Sequence, residues 1–483
     1  MAKLYPSKVA LLLIVSSLIL YLFFTIVPIA YSIYIAFTDA NAINIASDPK
    51  IRELRSIRNS IESYLRENKE SVLEEVDKAI LLTKKLMGRL EELKEYMNRI
   101  TVKNFSRSRF GSYKLFIRQT LASLLSIVKS NRTFLYYYKD LRSSLDIASR
   151  TISYMWSECD RITGFKLLLS EGDINRLREA TVPRLKIVIK ELNRSLTDLG
   201  NVRKDYELYI SKTLESIDAE IDRLSVHFVG LKNFKTLFTD SRFPYSILKT
   251  LLFVATSVPL KVSVGVALAF LFSSPSIYGR KVMRTLLLTP WALPVLLSIT
   301  TWRILFSPGG GPLSSLLTMT LDRPFSIYTN EWDAFLVYNI VEMWLAYPFI
   351  MTVTMGAITG VPKELIEAAY VDGGSKFRVF KDIMLPLTAR PILFATIMTS
   401  GASLQAFMVP LLINGGGPTT HISLPGLRSA LGNANEMMVL FGYNRAWLEQ
   451  DYGLSTASYL VVVIILFIYA AAWFYMIYKG GRS

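Results

Sequence analysis

The sequence has a single cysteine, Cys159, and only two histidines, His227 and His421, in 483 residues. One cysteine excludes an intrachain disulfide and a thiolate metal cluster. Two isolated imidazoles leave a catalytic metal without a ligand set. The phosphate-cradling pattern G-x-x-x-x-G-K-[ST] is also missing. Gly309-Gly310-Gly311-Pro312 and Gly415-Gly416-Gly417-Pro418 read as turns, without the lysine that would reach a phosphate. No nucleophile, base and acid stand at spacings that suggest covalent chemistry, so the chain reads as non-enzymatic. Acidic residues are scarce too, 39 against 55 lysines and arginines, for a formal charge of +16.

What is present is apolar: 51% of the chain. A basic and half-apolar chain must segregate the two, and this one does. Six stretches reach the length of about 20 residues that a membrane-crossing helix needs: 9–37, 245–273, 283–306, 334–358, 388–413 and 455–478. The basic excess lies in loops and in a charged block at 41–226, so a nucleic-acid partner is not needed to explain it. The first stretch is too long for a signal peptide and lacks a small-residue cleavage site, which predicts a retained helix. Pro259, Pro290, Pro294 and Pro348 fall inside the stretches and predict kinks lining a cavity. Glu342 also falls inside one, where a carboxylate is expensive and usually functional.

Basic residues in short loops orient the chain. Lys3 and Lys8, then Arg280, Lys281 and Arg284, then Lys363, Lys376, Arg378, Lys381 and Arg390, and finally Lys479 and Arg482 all fall on one side of a six-span count. The opposite loops, 307–333 and 415–453, are richer in acid. Both termini are therefore expected in the cytoplasm of a multi-pass plasma-membrane protein, with 41–226 outside.

That block carries apolar residues at alternating three and four, from Ala79 to Ile100, Leu121 to Cys159 and Leu185 to Leu224, which predicts coiled-coil packing. Gly111 and the Gly164 to Gly172 stretch are the expected turns. A run of about 50 residues rises roughly 75 Å, so a stalk is expected. Three full-length helices would leave the chain at the wrong end, so at least one run must break, near Asn131 or Pro183. Asn104-Phe105-Ser106, Asn131-Arg132-Thr133 and Asn193-Arg194-Ser195 are glycosylation acceptor patterns, all within the block.

Between the fourth and fifth stretches, residues 362–386 read as two short amphipathic helices. Gly373-Gly374 gives the turn between them, and Pro386 stops the second. Glu367-Ala368-Ala369, then Gly373, then Ile383, Leu385 and Pro386 resemble the coupling loop of permease subunits in binding-protein-dependent ABC importers. Phe228-Val229-Gly230-Leu231-Lys232-Asn233-Phe234, Leu288-Thr289-Pro290-Trp291-Ala292-Leu293-Pro294 with Trp302, Trp344-Leu345-Ala346-Tyr347-Pro348-Phe349 and Asn414-Gly415-Gly416-Gly417-Pro418 resemble the maltose-type carbohydrate-uptake members in order and spacing.

The resemblance implies an all-α polytopic membrane protein, with six transmembrane helices of the ABC importer permease fold; the heptads add a long extracellular coiled-coil insertion, where the maltose-type members carry a large outer insertion that is not a long coiled coil. Its parts would be 1–40, 41–226 and a core at 227–483. Glu367, Ala368, Ala369, Asp372, Gly373, Ile383, Leu385 and Pro386 would couple to a separate ATPase, which binds ATP and magnesium; the chain itself would hold no cofactor. The implied partners are a second permease, two ABC ATPases, an extracellular substrate-binding protein and a sugar. Trp291, Glu342, Leu345, Ala346, Phe349, Ser403, Gln405 and Ala406 occupy the positions at which the maltose-type family contacts its ligand. Trp291 and Phe349 could stack on pyranose faces, and Ser403 and Gln405 could bond hydroxyls. Glu342 replaces an amide there, or else pairs with a polar residue of a partner subunit. The rival readings are an importer of another solute, such as glycerol phosphate or peptide, and a coiled-coil envelope sensor or adhesin.

Overall fold

The structure, a computed structural model, describes residues 7–164, 169–274 and 277–480. The chain divides into two compact units, one formed by Met1–Ala42 with Val226–Ser483 and the other by Ile43–Ser225. The first unit opens with α1 (Ser7–Tyr21) and α2 (Val27–Ala36), joined by a π-helical turn at Leu22–Ile26.

The second unit is a helical bundle: α3 (Asp48–Glu67), α4 (Lys69–Arg99), α5 (Arg107–Val128), α6 (Lys139–Thr163), α7 (Glu171–Lys204) and α8 (Tyr206–Leu224). The predicted spacing is what the core uses. Val72, Val76, Ala79, Thr83, Leu86, Leu90, Leu93 and Met97 of α4 alternate by four and three, and all are buried. Helix starts are set by local caps: the Ser106 hydroxyl accepts from Arg109 N–H, Asp205 accepts from Leu208 N–H, and Ser170 with Asp173 closes a capping box on α7. Gly111 is not a turn; it lies inside α5, and the chain reverses at 100–106, where the Asn104 side chain accepts from Thr101 N–H and donates to Arg99 C=O. Pro183 lies inside α7 without ending it. Of the expected turn at 164–172, residues 165–168 lie outside the described residues.

The break near Asn131 is real, and it solves the parity problem. Lys114 meets Asp160 at 2.5 Å, Arg178 donates to Met97 and Ile100 carbonyls at 3.2 and 2.8 Å, and Arg58 meets Asp218 at 2.9 Å. These pairs set α5 against α6 and run α3 and α4 antiparallel to α8 and α7. α3 with α4, and α7 with α8, form two long passes, whereas α5 and α6 are short ones. Four passes bring the chain back to the end where it started. The 129–138 turn between α5 and α6 packs on the middle of the long passes. There Phe134 lies 5.6 Å from Tyr64, and Tyr209 hydroxyl donates to Thr133 C=O.

One carboxylate in this bundle is held above its usual range. Asp198 is pushed up first by desolvation, then by the negative charge of Asp140. A raised folded-state value favours the protonated form, so this group's stabilising contribution is full below the unfolded pKa of about 3.9 and is lost as pH rises through the folded value. Asp198→Asn is therefore expected to raise the melting temperature of this unit at pH 7 and to change it little at pH 3. Helical ellipticity followed on heating the detergent-solubilised chain reads this, and equal shifts at both pH values would refute it.

In the first unit the remaining elements are α9 (Lys232–Leu237), α10 (Arg242–Ser273), α11 (Arg280–Leu287), α12 (Thr289–Ala292), α13 (Val295–Leu305), α14 (Pro312–Leu321), α15 (Glu331–Thr359), α16 (Lys363–Val371), α17 (Lys376–Val379), α18 (Leu385–Leu404), α19 (Met408–Asn414), the hairpin β1 (Thr419–Ile422) with β2 (Ala430–Asn433), α20 (Met438–Trp447) and α21 (Tyr452–Gly480). The hairpin pairs Thr419 with Asn433 and Ile422 with Ala430; it is the one sheet among the described residues of an otherwise helical chain. Five helical segments among the described residues are long and apolar enough to cross a membrane: Ile14–Ala36, Arg242–Ser273, Glu331–Thr359, Phe377–Leu404 and Tyr452–Met476.

The expected third span, 283–306, is not one helix. It is α11, α12 and α13, because Pro290 and Pro294 each supply no N–H and the chain is extended at Leu293 (φ −95°, ψ 141°). The expected fifth span, 388–413, also differs: α18 ends at Leu404, and Gln405–Phe407 separate it from α19. α10 and α15 pack closely at Gly265, where a Cβ would lie 2.6 Å from Ile350 Cβ. Small residues at such crossings let two membrane helices approach.

Candidate functional site

The elbow between α15 and α18 is built by a helix end. α16 stops at Asp372, Gly373 takes φ +79°, and its N–H donates to Tyr370 C=O at 3.1 Å. Gly374 N–H donates to Ala369 C=O at 2.8 Å, and a Cβ at 374 would sit 2.7 Å from that oxygen. A left-handed residue followed by a back-bonded one is the usual way a helix closes on glycine. Glu367, Ala368, Asp372 and Gly373 are exposed on this elbow and Ala369 is half-buried. Four apolar side chains beside them, Leu365, Tyr370, Val371 and Phe377, are also exposed, Val371 to 87%.

Ile383, Leu385 and Pro386 stand apart from the tip. Pro386 does not stop a helix, and the second arm is not a separate short helix. α17 continues through a π-helical turn, Phe380–Met384, into α18, with Leu385 N–H donating to Phe380 C=O. The shift of register absorbs the N–H that proline lacks. The same device precedes Pro28, where Val27 N–H donates to Leu22 C=O. Phe380 packs edge-on against Phe270 at 4.7 Å, fastening this arm to α10.

Deeper in the helices lies a polar cluster whose centre, Lys261, the sequence reading passed over. Its ammonium donates to Glu342 Oε1 at 3.1 Å and to Ser403 Oγ at 2.6 Å. Lys261 is on α10, Glu342 on α15 and Ser403 on α18, so one cation joins three helices. The lysine side chain is 0% exposed and the glutamate 17%. Glu342 thus pairs within its own chain. One turn earlier, Thr256 of α10 donates to Asn339 of α15 at 2.9 Å. The missed signal was Lys261, one of two lysines in the apolar stretch 245–273, opposite in sign to Glu342 in another.

Glu342, Leu345, Ala346 and Phe349 recur at i, i+3, i+4 and i+7, one face of α15. All four are half-buried, while Val341, Tyr347, Pro348 and Ile350 beside them are buried. Leu345 and Ala406 pack against the same apolar cluster, with Phe253, Ile299 and Phe335. Ser403 is fully buried, and its hydroxyl also donates to Thr399 C=O. Gln405 is exposed and donates to Gly401 C=O. Trp291 is 54% exposed at the break in the third span. Tyr347 hydroxyl, donating to Leu287 C=O at 2.7 Å, pins that break to α15. The structure therefore joins Glu342 to Ser403 through Lys261, and Leu345 to Ala406 through packing. Trp291, Ala346, Gln405 and Phe349 are not drawn into either group.

Residues 240–480 match the family model described as binding-protein-dependent transport system inner membrane component. The trehalose/maltose transport system permease protein MalF of Thermococcus litoralis is 30% identical over 240 residues, half of this chain and 76% of that protein. The chain belongs to this permease family. It is a multi-pass membrane protein. The maltose/maltodextrin permease protein MalF of Salmonella typhimurium is also 30% identical, over 49% of this chain and 47% of its own length. The chain therefore spans about half of that relative and three quarters of the Thermococcus one. A solved bacterial ABC transporter for alginate import is similar at 18% identity and a TM-score of 0.41, over 50% of this chain and 82% of that one. Residues 43–225, the bundle, lie outside the family match.

Proposed function

We propose that this chain is a membrane-spanning subunit of an ATP-driven importer that moves a sugar or oligosaccharide inward by alternating access. The observation that carries the reading is the exposed elbow at 363–377, closed by a left-handed glycine and set between two membrane-length helices. Glu367, Ala368, Ala369, Asp372 and Gly373 form its tip, with Val371 and Phe377 as apolar contacts for a groove on the ATPase; Ile383, Leu385 and Pro386 brace the arm behind it. ATP and magnesium belong to that partner, and this chain serves as a transport subunit. A second permease, two ATPases and an external binding protein complete the assembly.

The basic loops support a cytoplasmic elbow and termini, with residues 41–226 on the outer side. α11 to α13 together are long enough to supply a sixth crossing in broken form. Trehalose and maltose in the names of the relatives support a sugar passenger. The half-buried face of Glu342, Leu345, Ala346 and Phe349 is the site we assign to it, with Ser403 joined to Glu342 through Lys261, Ala406 in the apolar cluster of Leu345, and Trp291 and Gln405 as exposed members of the set. Purifying the chain from its native membrane and identifying what accompanies it tests the reading. A P-loop ATPase and a sugar-loaded binding protein are expected. A chain purified alone, or with a binding protein loaded with peptide or glycerol phosphate, would overturn it.

A further inference from the structure

We propose that Lys261 is a positioning and selectivity residue of the sugar site: it aims the Glu342 carboxylate at sugar hydroxyls and restricts the site to uncharged passengers, excluding uronates. The proposal rests on the sugar-importer reading above.

Three observations carry it. First, the ammonium is anchored from two sides, by Glu342 Oε1 at 3.1 Å and by Ser403 Oγ at 2.6 Å. Ser403 gives its own proton to Thr399 C=O at 2.9 Å, so its lone pair is turned to the lysine. Second, burial is unequal. Lys261 is sealed, while Glu342 keeps 17% of its side chain open. The cation stands behind and the anion in front. Third, the open edge belongs to the α15 face whose other members, Leu345, Ala346 and Phe349, are half-buried as well.

A passenger meeting that face meets acceptor oxygens whose orientation is already fixed. Hydroxyl donors gain a charge-assisted hydrogen bond there. A sugar carboxylate meets like charge where the dielectric is low, and the compensating ammonium is out of reach. The ion pair also lets a carboxylate reside in the span at all, since an unpaired buried charge is strongly destabilising. Selectivity and folding thus use the same lysine, and a single substitution would confuse them.

The test therefore uses Lys261→Met with Glu342→Gln together, which leaves no unpaired charge, beside Lys261→Arg, which keeps the cation. Binding of maltose and of its uronic acid counterpart to the purified full importer is measured by titration calorimetry, and uptake of both in proteoliposomes. The double variant is expected to assemble, to bind maltose about tenfold more weakly, the scale of one charge-assisted bond, and to lose most of its discrimination against the uronate. Its uptake defect should lie in KM rather than kcat. Lys261→Arg should keep the uronate excluded. Unchanged maltose affinity and unchanged exclusion in the double variant would overturn the proposal, as would a loss confined to kcat, which marks a scaffold. A wild-type complex that hydrolyses ATP, binds and moves neither disaccharide, and carries a binding protein loaded with peptide or glycerol phosphate would overturn the sugar reading itself. That outcome is distinct from a wild type that works and a double variant that matches it.

Discussion

A Gly373→Pro chain is expected to insert and assemble normally, yet to lose sugar-stimulated ATP turnover by about a hundredfold, the scale of a reacting geometry displaced by an ångström. Gly373 sits at φ +79°, and proline is locked near −65°, so the two conformations do not overlap. Proline would also remove the N–H that donates to Tyr370 C=O and would push Asp372 out of its turn conformation (φ −75°, ψ 8°) towards extended backbone. All three effects act on the elbow, whose tip is exposed and carries little packing, so the bundle of spans should stay intact. Gly373→Ala separates strain from blockage. A left-handed alanine costs about 1–2 kcal/mol, with open space where its Cβ would go, so a several-fold loss is expected. Proteoliposome uptake and ATPase rates of both variants read the ordering. Wild-type uptake by the proline variant would remove the elbow from the coupling path.

The elbow was legible because its residues are few and locally determined. A glycine pair after a short amphipathic helix admits few backbone solutions, and the charge pattern around it is coarse enough to count. The bundle was legible for a different reason: a core at 3.5-residue spacing is written in the apolar positions of α4 themselves. Its turns were not. Gly111 drew attention as a breaker, but the 100–106 reversal is made by the Asn104 amide, a residue that reads equally well as a glycosylation acceptor. Proline was misjudged in both directions. Pro386 looks like a helix stop until a π turn takes up the missing N–H, while Pro290 and Pro294 look like kinks and are breaks. At Gln405–Phe407 no glycine or proline marks the end of α18, and hydropathy runs straight through. The pairing of Lys261 with Glu342 needed three helices placed in space, which one-dimensional spacing does not supply.

Arg242→Met should cost the first unit about 3–5 kcal/mol, the penalty for leaving a buried charge without its partner. Arg242 donates from Nε and Nη2 to both oxygens of Glu436, at 2.7 and 2.9 Å, and from Nη1 to Glu449 at 2.6 Å. Glu436 is 0% exposed and also accepts from the Asn444 amide. Phe441 underlies the guanidinium at 5.3 Å. These contacts bind the start of α10 to the segment after the hairpin and to α20. Burial predicts a ranking among the partners. Glu449 is 36% exposed and is shared with Arg445, so Glu449→Gln should cost at most about 1 kcal/mol, as rim ion pairs do. The double replacement Arg242→Met with Glu436→Met removes both charges at once and should recover most of the loss, because a packed apolar pair often equals a buried ion pair. Thermal unfolding of the purified chain in detergent, read by tryptophan fluorescence, gives all three values. If Glu449→Gln proved as costly as Arg242→Met, or if the double replacement recovered nothing, the penalty would come from lost packing around Phe441 rather than from an orphaned carboxylate.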